Sequence, residues 1–278
     1  MANKILRSAL TEARYAKVGS KRDDSRKLAD RLERAGLRSA AARALSLGLR
    51  RCRREHRCLS PACPQCAEAQ QALLACATGK FTSDRVDETN IVFATIIPPN
   101  SSVPMGSLHK FDLANFKRRV RDGLAKTSAI WAAGAVDFTL NEHRDDVFEA
   151  HWSPHAHVFI ATDHINDLAH GLRAAFPRSD KAPRPVVVKE WDGDFRAFSY
   201  VFKPHFTRRI SVARATRFNP STNGTRSCRA TTYDRLRVQE RIELALFLDA
   251  IGLGGRLLFR NVRLYGTAKS VRLQLTTG

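Results

Sequence analysis

The sequence predicts an α+β fold: a mainly antiparallel central sheet with helices packed on it, preceded by a helical, basic part that carries a cysteine-rich element. Three observations support this. Short apolar, β-branched runs and amphipathic stretches alternate between residues 90 and 203 in the order β-α-β-β-α-β-α. That order suits an antiparallel sheet with helices on one face. Leucines recur at helical spacing before residue 50, and four cysteines fall within residues 52–66.

Taken in order, Leu28, Leu32 and Leu37 recur among Lys, Arg and Asp, and Ser39–Leu49 form a second helical run rich in Ala and Leu. The cysteine-rich stretch follows, then the acidic, turn-rich stretch Thr82–Asn90, a plausible boundary. Ile91–Ile97 reads as a buried strand stopped by Pro98-Pro99. Leu108–Lys126, with Phe111, Phe116, Val120 and Leu124 among basic residues, reads as an amphipathic helix. Ala135–His143 alternates as a strand, Arg144-Asp145-Asp146 turns, and Val147–Ala161 returns. Helices are expected at Asp167–Phe176 and Phe195–Lys203, with a strand at Pro185–Trp191 between them. Beyond Pro204 the chain is basic and polar up to a helix at Tyr233–Ala250, and strand-like sequence follows Gly252–Gly255. Three parts result: 1–88, 89–210 and a basic extension at 211–278.

Over 278 residues, 47 Lys and Arg against 27 Asp and Glu leave a net charge of +20, which points to a polyanion, nucleic acid before anionic membrane. The excess is uneven. Residues 1–80 carry 18 basic and 7 acidic side chains, residues 81–200 carry 14 and 16, and residues 201–278 carry 15 and 4. Basic flanks around a near-neutral centre suit a protein that works chemically on DNA better than one that coats it. No apolar run is long enough for a membrane span. Glu12 and Arg14 interrupt the start where a signal peptide would be apolar, so a cytoplasmic location is expected. There, six cysteines read as metal ligands or thiols and not as disulfides.

His155 and His157, two apart on an expected strand, leave the same face and could hold one divalent cation. Spacing alone also allows two half-exposed histidines. On the helix that follows, Arg196, Tyr200 and Lys203 share a face, so cations flank a tyrosine and could attract a phosphate, although an ordinary half-buried tyrosine fits the spacing too. Cys63-Pro64-Gln65-Cys66 is half of a structural Zn²⁺ site, with Cys52 and Cys58 as the other ligands or His56 replacing one. Cys76 and Cys228 read as plain thiols.

Taken together, the ordered motifs Phe93-Ala94-Thr95-Ile96-Ile97, Pro154-His155-Ala156-His157 and Tyr200-Val201-Phe202-Lys203 resemble the HUH endonuclease superfamily. They are most similar to rolling-circle replication initiators of small bacterial plasmids, over roughly residues 50–205. The resemblance implies an HUH-type palm across 89–210 and a Cys-rich element ahead of it. It implies nicking of single-stranded origin DNA by Tyr200, a 5′-phosphotyrosyl link and a free 3′-OH primer. Lys203 would stabilise the phenolate or the charge developing on the phosphate. Mg²⁺ or Mn²⁺ on His155 and His157 is the expected ion, although histidine ligation also suits Zn²⁺. A third ligand is usual; Asp137 is preferred, with Glu142, Glu149 and His151 as competitors.

Two departures stand out. Pro204 replaces the second tyrosine of two-tyrosine members, so the chain resembles the single-tyrosine type. Arg196 occupies the position where some of those carry the Glu of the terminating cut, with Asp192 or Asp194 as the candidate substitutes. Arg50, Arg51, Arg53, Arg54 and Arg57 form one candidate phosphate grip. Arg208, Arg209, Arg214, Arg217, Arg226 and Arg229 form another, with Arg196 beside the tyrosine. Origin DNA, its flanking duplex, and a host helicase and polymerase are the implied partners, in a bacterial, plasmid- or phage-borne setting. A transposase or relaxase would share the chemistry; a zinc-containing nucleic-acid-binding regulator would lack it.

Overall fold

The computed structural model describes residues 2–12, 22–35, 39–53, 55–85, 88–144, 148–179, 181–219, 224–267 and 270–276. Side chains at 11–12, 22, 213–219, 224–230, 267 and 270 are outside that description, as are Arg54 and most of the expected turn at 144–146.

Four helices come first: α1 (Ala2–Glu12), α2 (Arg22–Ala35), α3 (Ala40–Arg51) and α4 (Pro64–Ser83). The Ser39 hydroxyl accepts from the Ala42 N–H and so caps α3, while Pro64 opens α4 at a position where no N–H is needed. Then follow β1 (Asn90–Ile96), β2 (Val103–Pro104), α5 (Leu113–Ala125), β3 (Ala129–His143), β4 (His151–Thr162), α6 (Ile165–Ala175), β5 (Val186–Glu190) and α7 (Arg196–Val201). The remainder is β6 (Thr207–Asn219), β7 (Gly224–Arg235), α8 (Val238–Ile251), β8 (Leu257–Arg260), β9 (Val262–Thr267) and β10 (Ser270–Leu275).

The main sheet runs β5-β1-β4-β3-β6-β7, with β2 on β4 and β8 on β3. Every pair is antiparallel except β3 and β6, so the sheet is mixed. β3 changes neighbours along its length: Ala132–Ala135 pair with β8, and Leu140–His143 pair with β6. Gly134 sits where β3 meets β4, and a Cβ there would lie 2.0 Å from the His157 carbonyl oxygen.

Helices cover both faces, not one. On the first, Val92, Ala94, Val136, Phe138, Val158 and Ile160 pack against α5, α6 and α8. On the second, Ile91, Trp131, Ala133, Phe159 and Ala161 pack against α1, α4 and α7. The physical reason is legible in the strands, which are apolar on both sides, as two-sided burial requires. α1 and α4 therefore share a core with the sheet, although they precede residue 89. A third cluster joins α2, α3, Cys52, Cys63 and Cys66 to Ile242 and Ala245 of α8.

The stretch after Pro204 differs from expectation. It forms a long antiparallel ribbon, β6 and β7, and α8 starts at Val238 because Tyr233–Arg235 complete β7. α8 ends at Gly252, whose φ of +69 suits glycine.

Candidate metal centre and nucleophile

β1, β4 and β3 lie side by side, with Thr95 opposite His157 and Asp137 opposite His155. The period of two places all four side chains on the face that α7 covers. The Nε2 atoms of His155 and His157 are 3.1 Å apart, and Asp137 Oδ2 lies 3.4 and 3.7 Å from them. These three residues form one group able to hold a metal ion; Glu142, Glu149 and His151 are outside it. Glu142 instead pairs with Arg208 and Arg237, and His151 Nδ1 bonds the Glu149 carbonyl.

Hydrogen bonding prepares the nitrogens. The Ser153 carbonyl, 3.0 Å from His155 Nδ1, can only accept, so Nδ1 carries the proton and Nε2 presents a lone pair. Thr95 Oγ1 is 3.0 Å from His157 Nδ1 and can hold that ring in the same sense. Phe93 stacks on His157 with centroids 5.5 Å apart.

Burial on its own raises the Asp137 carboxyl, but the adjoining His155, then Lys203 and His157, hold it below the ordinary carboxylate range. Burial, then the charge of His155, pull His157 down to about 3. Asp137 Oδ1 accepts from the Phe138 N–H, whereas Oδ2 is buried with no hydrogen-bond partner. Lys203 Nζ forms an ion pair with it at 2.8 Å. Adjacent ligands at about 2.1 Å from one ion lie roughly 3.0–3.5 Å apart. Two facing lone pairs and a buried carboxylate oxygen at these separations fit a cation.

Tyr200 borders the group. α7 is anchored by Phe198, Val201 and Phe202, all buried; Phe198 packs on Phe159 with centroids 4.3 Å apart. Tyr200 points outward at 49% exposure, its ring 5.2 Å from that of His157. Lys203 Nζ is 4.7 Å from the Tyr200 ring centroid. Burial lowers the Lys203 ammonium's pKa, but Asp137 and then Tyr200 more than offset this and raise it. Arg256, from the loop before β8, donates to the carbonyls of Val136 and Lys203 at 3.2 Å each and so ties β3 to the end of α7.

No family model, no curated protein and no solved structure matches this chain.

The second group able to hold a metal ion is Cys52, Cys58, Cys63 and Cys66, with sulfurs 3.6–3.7 Å apart along three edges. Four sulfurs at about 2.3 Å around a tetrahedral ion would be roughly 3.8 Å apart, so the set fits. Hydrogen bonds, first from Cys58, lower the Cys52 thiol strongly. His56 is exposed and outside the group, and Cys76 is an exposed thiol; the Cys228 side chain is outside the described residues.

The arginines divide. Arg57 is 8% exposed and donates to the Gln65 carbonyl inside the Cys63–Cys66 knuckle. Arg208 is 6% exposed, paired with Asp234 at 2.8 Å and close to Glu142 and Glu240. Both are buried and bonded within the protein. Arg50 pairs with Asp30 and Glu33, and Arg53 donates to the carbonyls of Arg50 and Cys52. Arg51 and Arg209 are exposed. Arg196 is exposed and paired with Asp194 at 2.9 Å.

Sequence reasoning missed Thr95, Ser153 and Arg256. Thr95 was within reach, since it stands in the FATII strand and two-residue periodicity gives its face. Arg256 carries no local signal, because only the fold brings it to Lys203.

Proposed function

We propose that this protein nicks and rejoins single-stranded DNA, with Tyr200 as nucleophile and Asp137, His155 and His157 as the holders of a divalent cation. The observation that carries the reading is the tyrosine beside the histidine–carboxylate group, with Lys203 paired to Asp137 and 4.7 Å from the tyrosine ring. A bound Mg²⁺ or Mn²⁺ would supply Lewis-acid charge to the scissile phosphate. The chain's own residues do the rest. Tyr200 Oη loses its proton to water as it bonds phosphorus, the P–O3′ bond breaks, and the released oxygen takes up a proton to become the 3′-OH. A tyrosine hydroxyl with a free pKa near 10 needs help at neutral pH, and the raised Lys203 ammonium is positioned to stabilise the phenolate. Reversal of the same step by an incoming 3′-OH rejoins the strand.

The net charge of +20 supports a nucleic-acid substrate, and the resemblance of the ordered motifs to rolling-circle initiators supports a role in replication initiation, with a transposase or relaxase sharing the same chemistry. Zn²⁺ is the expected ion at the four cysteines, where it would brace the third core cluster and not react.

The test is cleavage of a pool of end-labelled single strands with and without Mn²⁺. The expected products end in a 3′-OH that a polymerase extends, and both His155→Ala and Tyr200→Phe abolish them. Retention of cutting by Tyr200→Phe overturns the nucleophile, and binding without any cutting favours the regulator.

A further inference from the structure

We infer that the β6–β7 ribbon is a clamp for double-stranded DNA, distinct from the single-strand site at Tyr200. It rests on the nucleic-acid part of the proposed function and not on the nicking chemistry.

The ribbon's attachment is narrow. Among the described residues, β6 joins the sheet only through Arg208–Ser211, parallel to Leu140–His143, and β7 pairs only with β6. Among the described side chains, none between 207 and 235 belongs to a core cluster. An isolated two-stranded ribbon is marginal by itself. Its sequence makes that worse: residues 207–235 hold seven arginines against the single acid Asp234, with nine Ser and Thr. Like charges on paired strands repel. A polyanion relieves that repulsion and gives the composition a physical reason.

The base is built to hold the ribbon in place. Arg208 is buried among Glu142, Asp234 and Glu240, which ties both strands of the ribbon to β3 and α8. Beside this anchor Arg209, Thr232, Tyr233 and Arg235 are exposed.

Duplex fits better than single strand for two reasons. Single-strand grooves rely on stacked aromatics, whereas this ribbon has only Phe218 and Tyr233. A two-stranded ribbon matches the width of the major groove, and thirteen residues of strand span about 43 Å, a little over one helical turn. Ser and Thr hydroxyls and arginines are also the side chains that most often contact phosphate.

The experiment uses the full chain, a duplex of about three helical turns and its isolated single strands, with affinity followed across a NaCl titration. The variants are the quadruple changes R214A/R217A/R226A/R229A and R214K/R217K/R226K/R229K. The alanine variant is expected to bind duplex at least tenfold more weakly, with a salt slope less steep by about 3.6, as the loss of four phosphate contacts implies. Its single-strand affinity is expected to change less than about threefold, since the ribbon lacks the stacking side chains of a single-strand groove. The lysine variant keeps the slope, which separates charge from folding.

An unchanged duplex slope, equal losses on both substrates, or a lysine variant that falls as far as the alanine variant would each overturn the clamp. The nicking reading fails separately: a wild-type chain that cuts nothing yet holds duplex through these arginines removes the nuclease and leaves the clamp.

Discussion

At the scale of single residues, the centre depends on groups that orient the ligands. Thr95→Val keeps the shape of the side chain but removes the partner of His157 Nδ1. Loss of such an outer contact should weaken Mn²⁺ binding about tenfold, read by electron paramagnetic resonance titration. Unchanged affinity would show that Phe93 stacking alone aligns the ring.

His157 also makes the metal-free protein sensitive to acid. Its pKa in the folded chain, about 3, is below the ordinary 6.5. The unfolded chain therefore takes up the proton first, and stability falls as pH drops from about 6.5 towards 3. Asp137 adds a loss of the same sign at lower pH, because its carboxyl is also depressed. Urea midpoints at neutral pH and near pH 5 should differ more for the wild type than for His157→Gln. Identical differences would remove His157 as the source.

These ligands were legible because period two fixes the face of each strand residue. Asp137 required a neighbouring strand as well, which periodicity cannot supply. The burial of Arg57 and Arg208 was not legible, since an arginine's partners depend on the fold.

At the scale of elements, α7 positions the tyrosine through its buried side. Phe198 lies against Phe159 and Trp191, nearly free of solvent. Phe198→Ala should cost about 3–5 kcal/mol of stability in urea unfolding. A cost under about 1 kcal/mol would mean that α7 is not anchored there.

The β6–β7 ribbon was the element least visible in sequence. Its strands are rich in Arg, Ser and Thr and lack a sustained apolar alternation, so the strongest strand signal was missing. Turn-forming residues were present, however: Asn219, Pro220, Ser221, Asn223 and Gly224 cluster between the two strands. The two-sided burial of the main sheet was also written in β4, where Val158, Phe159, Ile160 and Ala161 are consecutive and apolar.

At the scale of the whole molecule, the two groups able to hold metal ions among the described residues sit in different cores. The cysteines belong to the cluster of α2, α3 and α8, and the histidines face the one that joins the sheet to α1, α4 and α7. Chelation of the Zn²⁺ proposed at the cysteines should therefore raise hydrogen exchange in α2 and α3 first, while β3 and β4 keep their protection. Loss of protection everywhere at once would mean a single cooperative unit.

The uneven charge takes on structure at this scale too. The N-terminal excess is partly internal, through Arg57 and the pairing of Arg50, and the C-terminal excess is concentrated on a ribbon. Between them lies the near-neutral segment with the histidines, Asp137 and Tyr200.

The most direct measurement is mass spectrometry of the SDS-resistant product formed with single-stranded DNA and Mn²⁺. A nucleotide joined through its 5′-phosphate to the peptide containing Tyr200, absent in Tyr200→Phe, is the predicted result. An adduct on another residue, or cut DNA with no adduct at all, would contradict it.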